Sequence, residues 1–271
     1  HTHNSCYWWE EAPPRSAPTM DWSDKTDIAI IGCGFTGLSA ALTLARAGRE
    51  VVILEKNLIG EGASTRNGGI TSGNIRLSQK QLTSRFGPER AQTFIDEAVA
   101  ARADLERFIR ENKIDCDYQA VGRIVGLTGS FSSKTIERDH YEFANRYNFE
   151  SRLISNAEMA DYTNSKKYGA GILRPDIGGI HPAKLLHEMV RLALDAGVKI
   201  FSETPVTHIA NRKTTFTLTT TNGQVTAQHL ISATNAYTDQ AQPWLRRRLI
   251  PMISEMIATE KLGTNRVRAL M

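Results

Sequence analysis

The sequence predicts an α/β chain in which a parallel-sheet domain of βαβ type is interrupted by insertions that build a second, α+β domain with a mixed or antiparallel sheet. Three observations carry this. Residues 27 to 55 run as an apolar strand, a helix of small and apolar residues, and a second apolar strand. The segments 198 to 201 and 229 to 233 share that buried-strand character, so four strands read as one parallel sheet. Between them, charged amphipathic helices alternate with strands of a different texture at 118 to 127 and 168 to 174.

With 271 residues, 41% hydrophobic and 23% charged, the chain has enough apolar sequence for a sizeable core. The formal net charge is +4, spread along the chain, which gives no footprint for nucleic acid. The local cluster Arg246-Arg247-Arg248 reads as a solvated helix end rather than a phosphate or lipid site. Cys6, Cys33 and Cys116 are far apart and match no metal spacing, which suggests free thiols in a reducing, cytoplasmic setting. His1 and His3 are read as incidental rather than as metal ligands. No stretch approaches the roughly 20 apolar residues of a membrane span, and no secretory signal is expected at the N-terminus.

Residues 1 to 26, rich in Pro, Ser and Trp, read as an extended arm; Tyr7, Trp8, Trp9 and Trp22 are too apolar for a free tail and should pack on the body or on a partner. "DIAIIG" is a buried strand, "TGLSAALTLARAG" a helix stopped by Gly48, and "EVVILE" the second strand. Such a βαβ unit is parallel and right-handed in almost every case. Residues 88 to 112 open on Pro88 and form a long helix, 118 to 127 a strand pair or bend, and 131 to 147 another helix. "YGAGILRPDIGGIHP" is read as hairpin-like. The next helix starts at Pro182 and ends at Gly197, followed by short strands with Asn222-Gly223 as a tight hairpin turn. "PMISEMIATEKL" reads as one more strand, 252 to 260, of the second sheet. The expected division is an arm at 1–26, a nucleotide-binding domain at 27–80 and 182–245, and a substrate domain, incomplete, at 81–181 and 246–271.

Gly32, Gly34 and Gly37 form G-x-G-x-x-G between a strand and a helix. The first glycine permits the tight turn, the second a close approach of pyrophosphate to backbone, and the third close helix–strand packing. The anion then faces the N–H groups and positive dipole of the helix start, which includes Phe35 and Thr36. Eighteen residues after Gly37, at the end of the second strand, Glu55 can accept hydrogen bonds from ribose hydroxyls and disfavour a 2′-phosphate; Lys56 follows it. The domain is therefore Rossmann-like, with a dinucleotide site.

A second run, "GEGASTRNGG" from Gly60 to Gly69, offers backbone N–H groups, the Ser64 hydroxyl and the Arg66 cation to a ligand longer than the first run can hold, which favours FAD over NAD. Gly62-Ala63-Ser64-Thr65-Arg66-Asn67-Gly68-Gly69 resembles the flavin loop of the FAD-dependent amine and amino-acid oxidases of the D-amino-acid oxidase and sarcosine oxidase superfamily, and within it the gamma-glutamylputrescine oxidoreductases. "IDCDY" at 114 to 118, "GGIHP" at 178 to 182, "GQVTAQHLISATNAYTD" at 223 to 239 and "IATEKL" at 257 to 262 extend the resemblance along the chain.

The resemblance implies FAD, with Gly32 to Gly37 at the pyrophosphate and Glu55 at the adenosine ribose. Ser64, Arg66, Asn67, Gly68, Gly69 and Ile70 would lie along the ribityl chain and isoalloxazine. Val206 would bracket the adenine through its backbone, and Ala233 and Thr234 would close over the nucleotide. The implied reaction oxidises a C–N bond of an amine or amino acid, with hydride passing to flavin N5, hydrolysis of the imine, and reoxidation by dioxygen to peroxide. Arg66 would tune the flavin or, equally, serve a salt bridge or phosphate contact. His181 is read as a helix cap and His187 as a structural residue; Tyr237 and Trp244 either shape the substrate entrance or pack. No catalytic base is assigned. Members of the family continue past the position of Leu262, so a missing C-terminal portion, an uncovered apolar face and self-association are expected. A non-catalytic dinucleotide-binding fragment is the alternative, and an NAD-dependent dehydrogenase is disfavoured by the second glycine run.

Overall fold

The computed structural model describes residues 5–128, 133–147 and 150–270; His1 and His3, and the first two residues of the helix expected at 131, lie outside them. In chain order the elements are β1 (Lys25–Ile31), α1 (Phe35–Arg46), β2 (Val51–Leu54), β3 (Ile70–Thr71), α2 (Gln79–Phe86), α3 (Pro88–Glu111), β4 (Arg123–Leu127), α4 (Ser133–Arg146), β5 (Arg152–Ile154) and α5 (Asn156–Met159). They continue with β6 (Ala170–Arg174), β7 (Gly178–Gly179), α6 (Pro182–Asp195), β8 (Lys199–Phe201), β9 (Val206–Asn211), β10 (Phe216–Thr220), β11 (Gln224–Ser232), α7 (Pro243–Arg246) and α8 (Gly263–Leu270). Contacts divide the chain into two units, residues up to 68 with 181–256, and residues 69–180 with those from 257.

The first unit is built on a six-stranded sheet in the order β8-β2-β1-β11-β10-β9. β8, β2, β1 and β11 are parallel, whereas β10 pairs antiparallel with both β11 and β9. Alternation along β1 sends Ala29 and Ile31 into one core with Val52, Leu54, Leu218 and Val225. Ile30 faces the other way, beneath α1, and is fully buried. α1 packs on α6 over that face, and Leu38, Ala41 and Leu42 on α1 and Leu186, Val190 and Ala193 on α6 are buried. α6 starts with Pro182 at its first turn, and Gly197 follows its end at φ 85°. Thr220, Asn222 and Gly223 close the β10–β11 turn, with the Thr220 N–H donating to the Gly223 carbonyl at 2.9 Å.

The aromatic arm is part of this unit. Trp22 stacks on Phe201 with ring centroids 4.8 Å apart, and Arg15 and Ile59 exchange backbone hydrogen bonds of 3.1 and 2.9 Å.

The second unit holds an antiparallel sheet in the order β4-β6-β5 and a two-stranded ribbon of β3 with β7. α2 and α3 enclose a small core of Leu82, Ala91, Ile95 and Tyr147, whose hydroxyl accepts the Ile75 N–H at 3.1 Å. Arg174 donates to Asp176 through Nε at 3.0 Å, and its guanidinium lies 4.5 Å from the Phe143 ring centroid.

Three sequence expectations need correction. Residues 168 to 182 do not form a hairpin, because β6 pairs with β4 and β5 while β7 pairs with β3. Residues 252 to 260 form no strand: no neighbouring strand lies alongside them among the described residues, and Ile253 and Ile257 are 90% and 100% exposed. β-propensity without a partner ladder leaves the backbone to water, and water then competes for it on equal terms. The end of β11 is not buried: His229 and Ser232 are exposed and Leu230, Ile231 and Ala233 half-buried, at the strand end that opens on the cavity.

Candidate cofactor site

At the carboxyl ends of β1, β2 and β11 the first unit opens a cavity of about 420 Å³, in the range of small-molecule sites. Ligands bind at this end of parallel sheets because loop backbone and helix N-termini converge there. The turn after β1 forms the floor. Gly32 has φ 104°, and a Cβ on it would stand 2.9 Å from the Ala233 carbonyl oxygen. That closeness follows from the sheet register: the Gly32 N–H donates to Leu54 at 2.9 Å and the Ala233 N–H to Ile31 at 2.9 Å, so three strand ends meet. Gly37 does not line the cavity. A Cβ there would meet the Gly32 carbonyl oxygen at 2.0 Å, so this glycine is what lets α1 sit on β1.

Gly34, Phe35 and Thr36 line the cavity at the start of α1. The Phe35 N–H donates to Ser64 Oγ at 3.0 Å, so the second glycine run reaches back to the helix N-terminus opened by the first. A Cβ at Gly34 would lie 2.8 Å from that same hydroxyl. Glu55 lines the wall beside Lys56, and its carboxylate is oriented by backbone: Oε2 accepts the Cys33 N–H at 2.7 Å and Oε1 the Asn57 N–H at 3.2 Å. Each oxygen keeps acceptor capacity beyond these bonds. Cys33 is buried, and burial, reinforced by the Glu55 charge, pushes its thiol pKa up. It is a neutral small filler under the turn and no nucleophile.

Val206, Ala233 and Thr234 also line the cavity. Of the other candidates, Arg66 holds its guanidinium carbon 4.5 Å from the Trp9 ring centroid. The Asn67 side-chain amide donates to the Ser64 carbonyl at 2.9 Å, and Gly68 is exposed at the end of the loop. None of these three is a lining residue. Gly69 and Ile70 belong to the second unit, where Ile70 pairs with Gly179 and is 61% exposed.

In the segment after β11, sequence reasoning gave cofactor roles only to Ala233 and Thr234 and weighed Tyr237 and Trp244 at the entrance. Asn235, Asp239 and Gln242 line the cavity with Tyr237, and Asp239 meets Lys56 at 3.2 Å. The signal was the polar run "TNAYTDQ" directly after a parallel strand. His181 caps α6, its Nδ1 accepting the Lys184 N–H at 3.2 Å. His187 lies inside α6 beneath Gly60, half-buried. Arg248 folds back on Trp244 at the exposed end of α7, with its guanidinium carbon 3.8 Å from the ring centroid. No helix among the described residues is long and apolar enough to cross a membrane.

Against known proteins, residues 27–270 match the family model DAO, described as FAD dependent oxidoreductase. The chain is 33% identical over 261 residues to a probable oxidoreductase OrdL of Rhizobium meliloti, covering 94% of this chain and 60% of that protein. It is 31% identical over 272 residues to gamma-glutamylputrescine oxidoreductase of Escherichia coli, covering 99% of this chain and 63% of the relative. Among solved structures, glycine oxidase from Geobacillus kaustophilus shares the fold with a TM-score of 0.69 at 21% identity, over 82% of this chain and 59% of that one. The chain thus spans about 60% of the length of these relatives. The βαβ turn, the acid at the end of β2 and the match along nearly the whole sequence agree, and the chain belongs to the DAO family of FAD-dependent oxidoreductases.

Proposed function

We propose that this chain holds the ADP portion of FAD in the cavity at the ends of β1, β2 and β11 and serves an oxidoreductase acting on a C–N bond of an amine or amino acid. The observation that carries the reading is the convergence of the glycine turn, the α1 N-terminus, Ser64 and the backbone-oriented Glu55 on one cavity. The residues fit the group on steric grounds. Glycine is required at position 37 for α1 to close on β1, and Gly34 places bare backbone on the cavity wall.

Gly32 to Gly37 and the N-terminus of α1 would face the pyrophosphate, where the partial positive charge of the helix start favours an anion. Glu55 would accept the adenosine ribose hydroxyls and repel a 2′-phosphate. Val206, Ala233 and Thr234 would bound the nucleoside end. Bound there, FAD would supply a hydride acceptor for the carbon of the C–N bond, leaving an imine for water to hydrolyse. The names of two relatives, gamma-glutamylputrescine oxidoreductase and glycine oxidase, support an amine or amino-acid substrate, and the first of these supports a gamma-glutamylputrescine-like one.

The visible spectrum of the purified chain tests the cofactor reading. A yellow protein that releases FAD on denaturation supports it, whereas a colourless chain that still binds ADP supports a non-catalytic dinucleotide-binding fragment. At a hundredfold excess over its Kd, ADP should stabilise the fold by about 2.7 kcal/mol. A chain that binds neither FAD nor ADP at millimolar concentration sinks the reading. Peroxide release with gamma-glutamylputrescine, sarcosine and D-amino acids then tests the substrate.

A further inference from the structure

We propose that Trp8 and Trp9 of the N-terminal arm are positioning residues for the cofactor site, clamping the second glycine run so that Ser64 stands at the α1 N-terminus. This rests on the nucleotide reading above. It goes beyond that reading in assigning a role to an arm remote in sequence from both glycine runs.

The clamp has two jaws, both on the residues that follow Ser64. Trp9 Nε1–H donates to Thr65 Oγ1 at 3.0 Å, and Trp8 Nε1–H donates to the Asn67 carbonyl at 2.7 Å. Thr65 is 1% exposed, and its hydroxyl donates in turn to the Gly60 carbonyl, which ties the start of the run to its middle. Asn67 returns the restraint inward, its side-chain amide reaching the Ser64 and Ala63 carbonyls at 2.9 and 3.2 Å. Cys6 Sγ–H adds a bond to the Thr65 carbonyl at 3.1 Å, and Arg66 lies over the Trp9 ring. Ser64 itself makes no contact with the arm in these bonds. Its hydroxyl points the other way, to the Phe35 N–H and the cavity.

The arm can bear this load because it is anchored independently of the loop. Glu11 meets Lys184 of α6 at 2.9 Å, Ala12 is buried, and the Trp8 ring packs edge-on against His181 with centroids 4.9 Å apart. A short loop held by its own glycines would sample many conformers, and glycine loses more freedom on ordering than any other residue. Two indole donors fix it from outside, at points where an aromatic ring without an N–H could still fill the space. A displacement of about 1 Å at a positioning group is enough to cost most of its benefit.

The test uses W8F, W9F and the double variant, which keep the rings and remove only the N–H donors, with S64A as the comparison. ADP affinity by calorimetry should fall about tenfold in W8F/W9F. In the S64A background the same two changes should weaken ADP less than twofold further, because the indoles act through Ser64. A residue of merely structural value gives additive losses instead. Trypsin cleavage after Arg66, measured without nucleotide, should accelerate at least fivefold in the double variant. If that variant does not fold by circular dichroism, the two single variants carry the same test at about threefold each. Wild-type ADP affinity with unchanged cleavage overturns the clamp, and so do additive losses. Failure of the wild-type chain to bind ADP sinks the cofactor reading itself, which keeps the two failures apart.

Discussion

The two glycine runs of the first unit meet at one hydroxyl but are built by opposite means. Gly32 to Gly37 is shaped by backbone contacts that a single added carbon would violate, within the run between Gly37 and the Gly32 carbonyl and against the end of β11 between Gly32 and Ala233. Residues 60 to 68 are held by side-chain hydrogen bonds, some within the run and some from the arm. A Cβ at Gly62 would meet nothing closer than the Tyr237 ring at 3.9 Å, and the restraints come from Thr65, Asn67 and the arm. A phosphate-facing turn can thus be specified by local sterics or by distant donors, and the two differ in how mutation reaches them.

The largest expected effect follows from the first run. Gly37→Ala should destabilise the chain by about 3 kcal/mol or more, since its Cβ would stand 2.0 Å from backbone that the β1–β2–β11 register holds fixed. Helix propensity alone gives the opposite sign, a gain of about 1 kcal/mol for replacing glycine by alanine inside a helix. Gly62→Ala should change stability by less than about 0.5 kcal/mol. Urea unfolding of both variants checks the contrast, and equal costs would erase it.

Thr65→Val probes the second run at its own keystone. The swap keeps shape while removing the acceptor for Trp9 and the donor to Gly60, inside a site that is 1% exposed. Leaving those two groups unpaired should cost about 1–3 kcal/mol, and cleavage after Arg66 should accelerate as it does in the tryptophan variants. A Thr65→Val chain with wild-type stability and wild-type cleavage would show that the loop holds itself.

This difference also explains what could be read from the residues alone. The first run was legible because its constraint is local: three glycines at fixed spacing, a strand before, a helix after, and Glu55 at the next strand end. The parallel strands β1, β2 and β8 were legible for the same reason, each being a short apolar run closed by polar or glycine residues. The arm's apolar residues announced that it packs, but not where, since a hydrogen bond between Trp8 and Asn67 spans 59 positions and leaves no periodic trace. The strand expected at 252 to 260 failed on a related point. It was read as one more strand, yet a strand is a pairing and no paired neighbour lies beside it among the described residues. Gln242 escaped notice, and Asp239 was quoted within a longer run but given no role, because a polar turn after a strand looks like any other loop until the cavity beside it is seen.

The smallest effect concerns the ring beneath the second run. His187 Nε2 is buried with no hydrogen-bond partner among the described residues, 3.6 Å from where a Gly60 Cβ would stand. Burial, with a smaller contribution from the Arg15 charge and opposed by Glu188, holds its pKa down at about 4. A base whose folded pKa lies below its ordinary value of 6.5 binds fewer protons folded than unfolded, so its contribution is complete above pH 6.5 and is lost as pH falls toward 4. For a half-buried ring, screened by solvent, that loss is about 1–2 kcal/mol. Asp27 and Glu158, whose pKa values are lowered, titrate below this window for the most part, while His140, lowered by burial, acts within it in the same direction; all three are common to both chains in the comparison. His187→Leu should therefore flatten the stability profile between pH 6.5 and 4, measured by urea unfolding, and should slow the rise in cleavage after Arg66 on acidification. The glycine turn of the first run, fixed by the strand register and by the close contacts of Gly32 and Gly37, should hold its hydrogen-exchange protection over the same range. Acid that loosened both runs equally would mean that the second is no more dependent on its surroundings than the first.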